Sequence, residues 1–199
     1  MTVLNSNPDT ATAADDHALM KQYANGSSAA FDDLYARYKQ PLYNFLVYRC
    51  SDAQLADEVF QDTWLAIISA RNQYQPTGTF KAWIYRIARN KLIDQHRKRP
   101  KSRHDPFDEQ QPPDTESTVS MISSPLTPLE VNELKDDRAT IDKALQALPV
   151  EQREAMLLKH IGGLTTAEIA DELNTPLETV KSRLRYASSK LREHLRVPS

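Results

Sequence analysis

Residues 105–128 read DPFDEQQPPDTESTVSMISSPLTP, and this stretch limits the fold more than any other in the chain. It mixes Asp, Glu, Pro and Ser with few large apolar side chains. It therefore cannot bury enough surface to offset the entropy of ordering it. Residues 101–127 thus read as a flexible acidic linker, and anything compact must be built on either side of it. A chain of 199 residues leaves room for two small domains. Four glycines and twelve prolines suit helices without Gly-rich turns, joined by extended segments.

Both flanks carry helical periodicity. After an expected disordered tail at 1–14, Leu19 and Tyr23 lie at i, i+4. A break at Asn25–Ser28 precedes Phe31, Leu34, Tyr35 and Tyr38 at helical spacing. Pro41 suits the first turn of a further helix carrying Leu42, Phe45, Leu46 and Arg49. The next opens near Ser51–Asp52 and runs to about Ala70, with Leu55, Val59, Thr63, Ala66 and Ile67 as its stripe. After the loop NQYQPTG, Thr79 caps a helix with Phe80, Trp83, Ile84, Ile87, Ala88 and Leu92 on its apolar face, and Pro100 ends it. Beyond the linker, Thr127, Pro128 and Glu130 form a capping-box pattern before Leu129, Leu134, Ile141, Leu145 and Leu148. Pro149 starts another helix that Gly162–Gly163 stops. No segment shows strand alternation. The expected fold is all-α: one bundle over 15–100, the flexible acidic linker over 101–127, and a second bundle over 128–199.

The net charge of −2 averages over segments of opposite sign. Lys81, Arg86, Arg89, Lys91, Arg97, Lys98, Arg99, Lys101 and Arg103 are opposed only by Asp94. Lys181, Arg183, Arg185, Lys190, Arg192 and Arg196 are opposed only by Glu193. Between them lie Asp105, Asp108, Glu109, Asp114, Glu116, Glu130, Glu133, Asp136 and Asp137. Cationic helix ends complement the helix macrodipole, but that accounts for two or three cations and not for the run after Lys81. One basic surface per bundle suits gripping a polyanion at two places.

The segment TTAEIADELNTPLETVKSRL has the pattern of a helix-turn-helix. A short helix carries Ala167, Ile169, Ala170 and Leu173, and Asn174 tolerates a left-handed turn. Thr175 reads as the cap of the second helix, with Pro176 in its first turn and Glu178 completing a capping box. Val180, Leu184, Ala187 and Leu191 form the inward stripe. Glu178, Lys181, Ser182, Arg185 and Ser189 then face outward, as a helix entering a major groove requires. In the other half, TFKAWIYRIARNKLIDQHRKR places Tyr85, Arg86, Arg89, Asn90 and Arg97 away from its stripe. Cations with an amide and an aromatic suit single-stranded nucleic acid, while Trp83 reads as core.

LADEVFQDTWLAI and TFKAWIYRIARNKLIDQHRKR, followed after the linker by ALQALPVEQREAMLLKHIGGLTTAEIADELNTPLETVKSRLRYASSKLRE, resemble the bacterial extracytoplasmic-function sigma factors. The resemblance covers about residues 16–100 and 138–196. It implies that the first bundle is sigma region two, which melts and reads the minus-ten element, and the second region four, which reads the minus-thirty-five element. It implies that Asp57, Glu58, Gln61, Asp62 and Trp64 dock on core RNA polymerase. Tyr85, Arg86, Arg89, Asn90 and Arg97 would meet the melted strand, and the loop Asn72–Thr79 would help hold a flipped base. Thr175, Glu178, Thr179, Lys181, Ser182, Arg183, Arg185 and Tyr186 would serve the upstream element, with Arg183 at phosphate. Tyr186, Ser188 and Ser189 stand where relatives often carry cations, so the phosphate grip is expected to differ there. The linker equivalent threads polymerase channels in relatives, where its acids would mimic RNA. The implied partners are core RNA polymerase, promoter DNA and an anti-sigma protein, often membrane-anchored in the family.

Catalysis finds no support in the sequence. The histidines at 17, 96, 104, 160 and 194 have no metal-ligand spacing, and the single Cys50, in an amphipathic helix, reads as a structural thiol rather than a nucleophile. No glycine pattern suits a phosphate loop, and no cofactor is expected. The N-terminus has no secretory pattern, and the longest aliphatic run, Leu65–Ile68, cannot cross a bilayer, so a cytoplasmic protein without membrane insertion is expected. The competing reading is a helix-turn-helix regulator that acts without docking on polymerase.

Overall fold

The computed structural model describes residues 8–50, 52–75, 78–98 and 140–195. The elements are α1 (Pro8–Ala24), α2 (Ser28–Arg49), α3 (Ala53–Ala70), a 3-10 turn (Arg71–Gln73) and α4 (Phe80–Lys98). A helical stretch at 140–146, α5, precedes α6 (Val150–His160), α7 (Thr166–Glu172) and α8 (Leu177–His194). No strand occurs among the described residues. The linker at 101–127 and the cap pattern at Thr127–Glu130 lie outside them.

In the first bundle α1 packs on α2, and α2 and α4 pack on α3. Leu34, Leu42, Phe45, Leu46, Leu55, Val59, Ile67, Phe80 and Ile84 are fully buried, as the helical spacing predicts. Asp52 caps α3 by accepting from the Leu55 amide at 2.7 Å, and the Thr79 hydroxyl accepts from the Ala82 amide at 3.2 Å. Ser27 caps α2 after a turn in which Gly26 takes φ +100°. The buried Asp16 carboxylate receives Arg37 and the Tyr38 hydroxyl, which pins α1 to α2.

Four features differ from the sequence expectation. α1 opens at Pro8, inside the segment read as a tail; Pro8 suits a first helical turn, and Ala11, Ala13 and Ala14 favour the helix that continues into Leu19. Pro41 lies inside one continuous α2 rather than opening a new helix. The helix gives up one backbone hydrogen bond there, while buried Tyr38, Leu42 and Phe45 hold the turns on either side. The α4 stripe is rotated: Tyr85 is 1% exposed and packs edge-on against Phe45, with ring centroids 5.1 Å apart, whereas Trp83 and Ile87 are only half-buried. Finally, Pro176 is the N-cap of α8 and no side chain caps it; the Thr175 hydroxyl instead donates to the Leu173 carbonyl at 3.0 Å. A proline with φ near −55° presets the first turn, and Asn174, at φ 47°, delivers the chain to it.

The second bundle closes as α6 and α7 pack on α8. Ala155, Leu157, Leu158, Leu164, Ile169, Val180 and Ala187 form its centre, with Leu184 and Leu191 packed against them. A Cβ on Gly162 would lie 2.6 Å from the Leu158 carbonyl oxygen, so this turn requires glycine. Thr165 and Glu168 form a capping box on α7 that the sequence reading did not single out.

The two bundles touch along α2–α6 and α4–α7. Thr79 donates to Glu168, and the Lys81 ammonium donates to the Gly163 carbonyl at 2.7 Å. Partial burial alone would raise the Glu168 carboxyl. Hydrogen bonds from Thr79 and Thr165, with Lys81 nearby, instead hold it below the ordinary carboxylate value.

Two predictions follow from this packing. Phe45→Ala should cost about 3–5 kcal/mol by denaturant melting, because it empties a fully buried site against Tyr85. A group depressed in the folded state stabilises fully above its unfolded value, about 4.3 for Glu, and loses that contribution as pH falls through the lower folded value. Glu168→Gln should therefore lower the urea midpoint at pH 7 and flatten its fall toward about pH 3. Parallel pH curves for wild type and variant would contradict this.

Candidate nucleic-acid and polymerase interfaces

Three helix faces hold the residues singled out in the sequence, and their surroundings differ. On α8 the outward face is open. Lys181 and Glu178 pair at 2.6 Å on the surface, with their side chains 55% and 81% exposed. Such a pair is worth under about 1 kcal/mol and leaves Lys181 available. Arg185 lies over the neighbouring Tyr186 ring, 5.0 Å from its centroid, and both are exposed. The Tyr186 ring thus stacks on the arginine before it and limits the directions its guanidinium can take. Ser182 donates to the Thr179 carbonyl at 2.8 Å, and Arg183 is half-buried beside the docked stripe. Thr175 is half-buried and turned to the Leu173 carbonyl.

The α4 face is partly occupied. Arg86 Nε donates to Glu172 at 2.9 Å. Arg89 donates through Nη1 to the Glu172 carboxylate and to the Glu172 backbone carbonyl, each at 2.8 Å, and through Nε to Glu154 at 2.7 Å. The Glu172 side chain is 1% exposed and that of Arg89 17%, so this is a desolvated ion cluster rather than a surface pair. Burial alone would lower the Arg89 guanidinium, but Glu154 and Glu172 raise it above its ordinary value. Asn90 and Arg97 remain exposed. Tyr85, expected to face outward with them, is buried in the first core. One step of 100° separates it from Arg86, and the phenol fills the space beside Phe45. Its role is to seat α4.

On α3, Asp57 and Gln61 are exposed and Glu58 is half-buried. Asp57 accepts from the Tyr43 hydroxyl at 2.9 Å, Glu58 from Gln54 at 3.0 Å, and Asp62 from Gln95 at 3.2 Å. Trp64, expected beside these acids, is instead 5% exposed within an aromatic cluster of Phe31, Tyr35 and Phe60. The apolar residue offered to solvent is its neighbour Leu65, 59% exposed, beside a shallow groove lined by Asp62, Ser69, Gln73 and Lys91. The sequence reading missed Leu65, although a signal was present: Leu65 lies off the stripe of α3, and a large apolar residue off the stripe must be exposed.

Among the described residues no helix is long and apolar enough to cross a membrane, and no three His, Cys, Asp or Glu side chains group as metal ligands. Residues 34–102 match the Sigma-70 region 2 family and residues 138–191 the Sigma-70 region 4 family. The chain is 32% identical over 168 residues to the ECF RNA polymerase sigma factor RpoE of Cereibacter sphaeroides, covering 84% of this chain and 87% of that protein. It is also similar to CnrH, solved in complex with the cytosolic domain of CnrY (TM-score 0.64, 26% identity, 93% of this chain and 99% of that one). The fold is shared with the sigma factor RpoE of Bartonella quintana, solved with the anti-sigma factor NepR (TM-score 0.63, 24% identity, 85% of this chain and 98% of that one). Two helical bundles in this order, the second containing a helix-turn-helix, together with these matches, place the chain in the extracytoplasmic-function family of RNA polymerase sigma factors, which direct promoter-specific transcription initiation.

Proposed function

We propose that this sigma factor divides promoter reading between α8 and α4 and docks on core polymerase through α3. The observation that carries the proposal is the open α8 face, where Lys181, Arg185 and Tyr186 stand exposed above the docked stripe of Val180 and Ala187. Arg185 reads a base edge of the minus-thirty-five element, Lys181, Ser182 and Arg183 grip phosphate, and Thr175, Glu178 and Thr179 flank the contact. On α4, Arg86, Arg89, Asn90 and Arg97 hold the unpaired strand of the minus-ten element, with Tyr85 seating the helix from inside. Asp57, Glu58, Gln61 and Asp62, with exposed Leu65, form the polymerase contact, and Trp64 supports them from the core.

Each DNA patch is small. Joining both on one polymerase makes the second contact intramolecular and raises specificity without new chemistry. Captured bases offset an unstacking cost of a few kcal/mol each. The chain itself makes and breaks no bonds. The likeness to CnrH, which is held by the cytosolic domain of CnrY, supports a cytoplasmic location and an anti-sigma partner here as well.

On reconstituted polymerase, Arg185→Ala should erase discrimination at one upstream base by about 1–3 kcal/mol. An equal loss across all promoters would reassign Arg185 to phosphate. Asn90→Ala should reduce permanganate reactivity of the melted region while leaving closed-complex binding nearly intact; wild-type footprints would remove Asn90 from strand capture. Promoter affinity should fall steeply between about 50 and 200 mM salt, as phosphate contacts require.

A further inference from the structure

The outward face of α8 holds one side chain that neither the core nor the assigned contacts explain. Leu177 opens the helix and is 41% exposed, between Pro176 and Glu178, which are exposed as well. It lies outside the apolar cluster that takes in Val180, Leu184, Ala187 and Leu191. The turn does not call for leucine either: Asn174 delivers the chain at φ 47°, and Pro176 presets the first turn. The other large apolar side chain exposed on the helix, Tyr186, carries Arg185 over its ring.

The place of Leu177 is what distinguishes it from an ordinary exposed leucine. Leu177, Lys181 and Arg185 follow at i, i+4 and i+8, and all three are exposed, so they form one line along the helix. A helix that enters a major groove brings its N-terminal residues to the base edges. The line therefore begins with a group that can neither donate nor accept a hydrogen bond. Among the base edges of the major groove, the apolar partner for such a group is the 5-methyl of thymine; the other features read there are donors and acceptors. Contact between the two takes both apolar surfaces out of water.

We infer that Leu177 is a specificity residue for a thymine of the upstream element and reads its 5-methyl group. The inference rests on the assignment of α8 to that element and adds a reader to it. Arg185 distinguishes bases by hydrogen bonds and Leu177 by a methyl group, so the two respond to different chemical changes in the DNA. Eight residues at about 1.5 Å each set them about 12 Å apart along the helix, the length of three to four base-pair steps at about 3.4 Å. The methyl contact therefore falls within about four base pairs of the base that Arg185 reads.

The test uses polymerase reconstituted with the full-length chain, on a promoter that it transcribes. Each thymine of the upstream element, on either strand, is replaced singly by uracil, which keeps the pairing face and lacks the methyl. Competition binding reads the affinity. One replacement within about four base pairs of the Arg185-dependent base should weaken wild-type binding by about fourfold, the worth of one buried methyl group. The same replacement should leave binding by the Leu177→Ala protein unchanged. Leu177→Met, which keeps an apolar side chain of similar reach, should stay sensitive, so a general loss of helix structure cannot mimic the result. Cytosine against 5-methylcytosine at that position should repeat the difference with the wild type and not with Leu177→Ala. An upstream element without thymine, uracil replacements that are all neutral, or an equal loss in wild type and Leu177→Ala would overturn the inference. If uracil is neutral while Arg185→Ala still loses discrimination at a single base, the methyl contact fails alone. If Arg185→Ala also weakens every promoter alike, base reading by α8 fails with it.

Discussion

Helix α4 is the element on which the rest of the molecule depends, because its two faces belong to different domains. Phe80, Ile84, Tyr85, Ala88 and Leu92 close the first core. One helical step away, Arg86 and Arg89 reach into the second domain and end on Glu172, a carboxylate almost without solvent contact. A charge buried to that extent must be paired, so the position of α7 is tied to that of α4. Among the described residues, apolar side chains of both halves belong to one cluster.

The same constraint sets how the chain can work. Under the proposed function, strand capture would need the α4 cations free of other anions, and here carboxylates of α6 and α7 hold Arg86 and Arg89. On α8 nothing comparable intervenes. Its stripe residues Val180 and Ala187 are fully buried, and among the described residues Lys181 meets Glu178 and Arg185 meets Tyr186. The α8 cations therefore stand open, whereas Arg86 and Arg89 of α4 are tied to carboxylates of α6 and α7.

Much of this was legible from residue order. Helical spacing marked the cores, Asp52 and Thr79 marked two helix starts, and Asn174 marked the left-handed turn. The failures have physical causes. Tyr85 and Trp64 were read as outward because amphipathic aromatics fit either environment, and a rotation of the stripe by one residue decides between them. Thr175 was read as a cap because its residue type is right. The backbone instead used Pro176, and the hydroxyl found the Leu173 carbonyl. The Arg86–Glu172 contact joins positions 86 residues apart, and no local pattern records such a pairing. Charge segregation along the chain pointed to one basic surface per bundle, with the acids kept apart from both. The fold brings α4 cations and α7 acids together.

The central claim is that this chain turns core polymerase toward promoters through two separate reading surfaces. The most direct measurement is run-off transcription with purified core RNA polymerase, with and without the full-length chain, on fragments of the source genome. The account predicts discrete transcripts that require the added chain and start a fixed distance downstream of a shared two-part element. Absence of any chain-dependent start, together with dimeric binding to palindromic DNA by the chain alone, would contradict it.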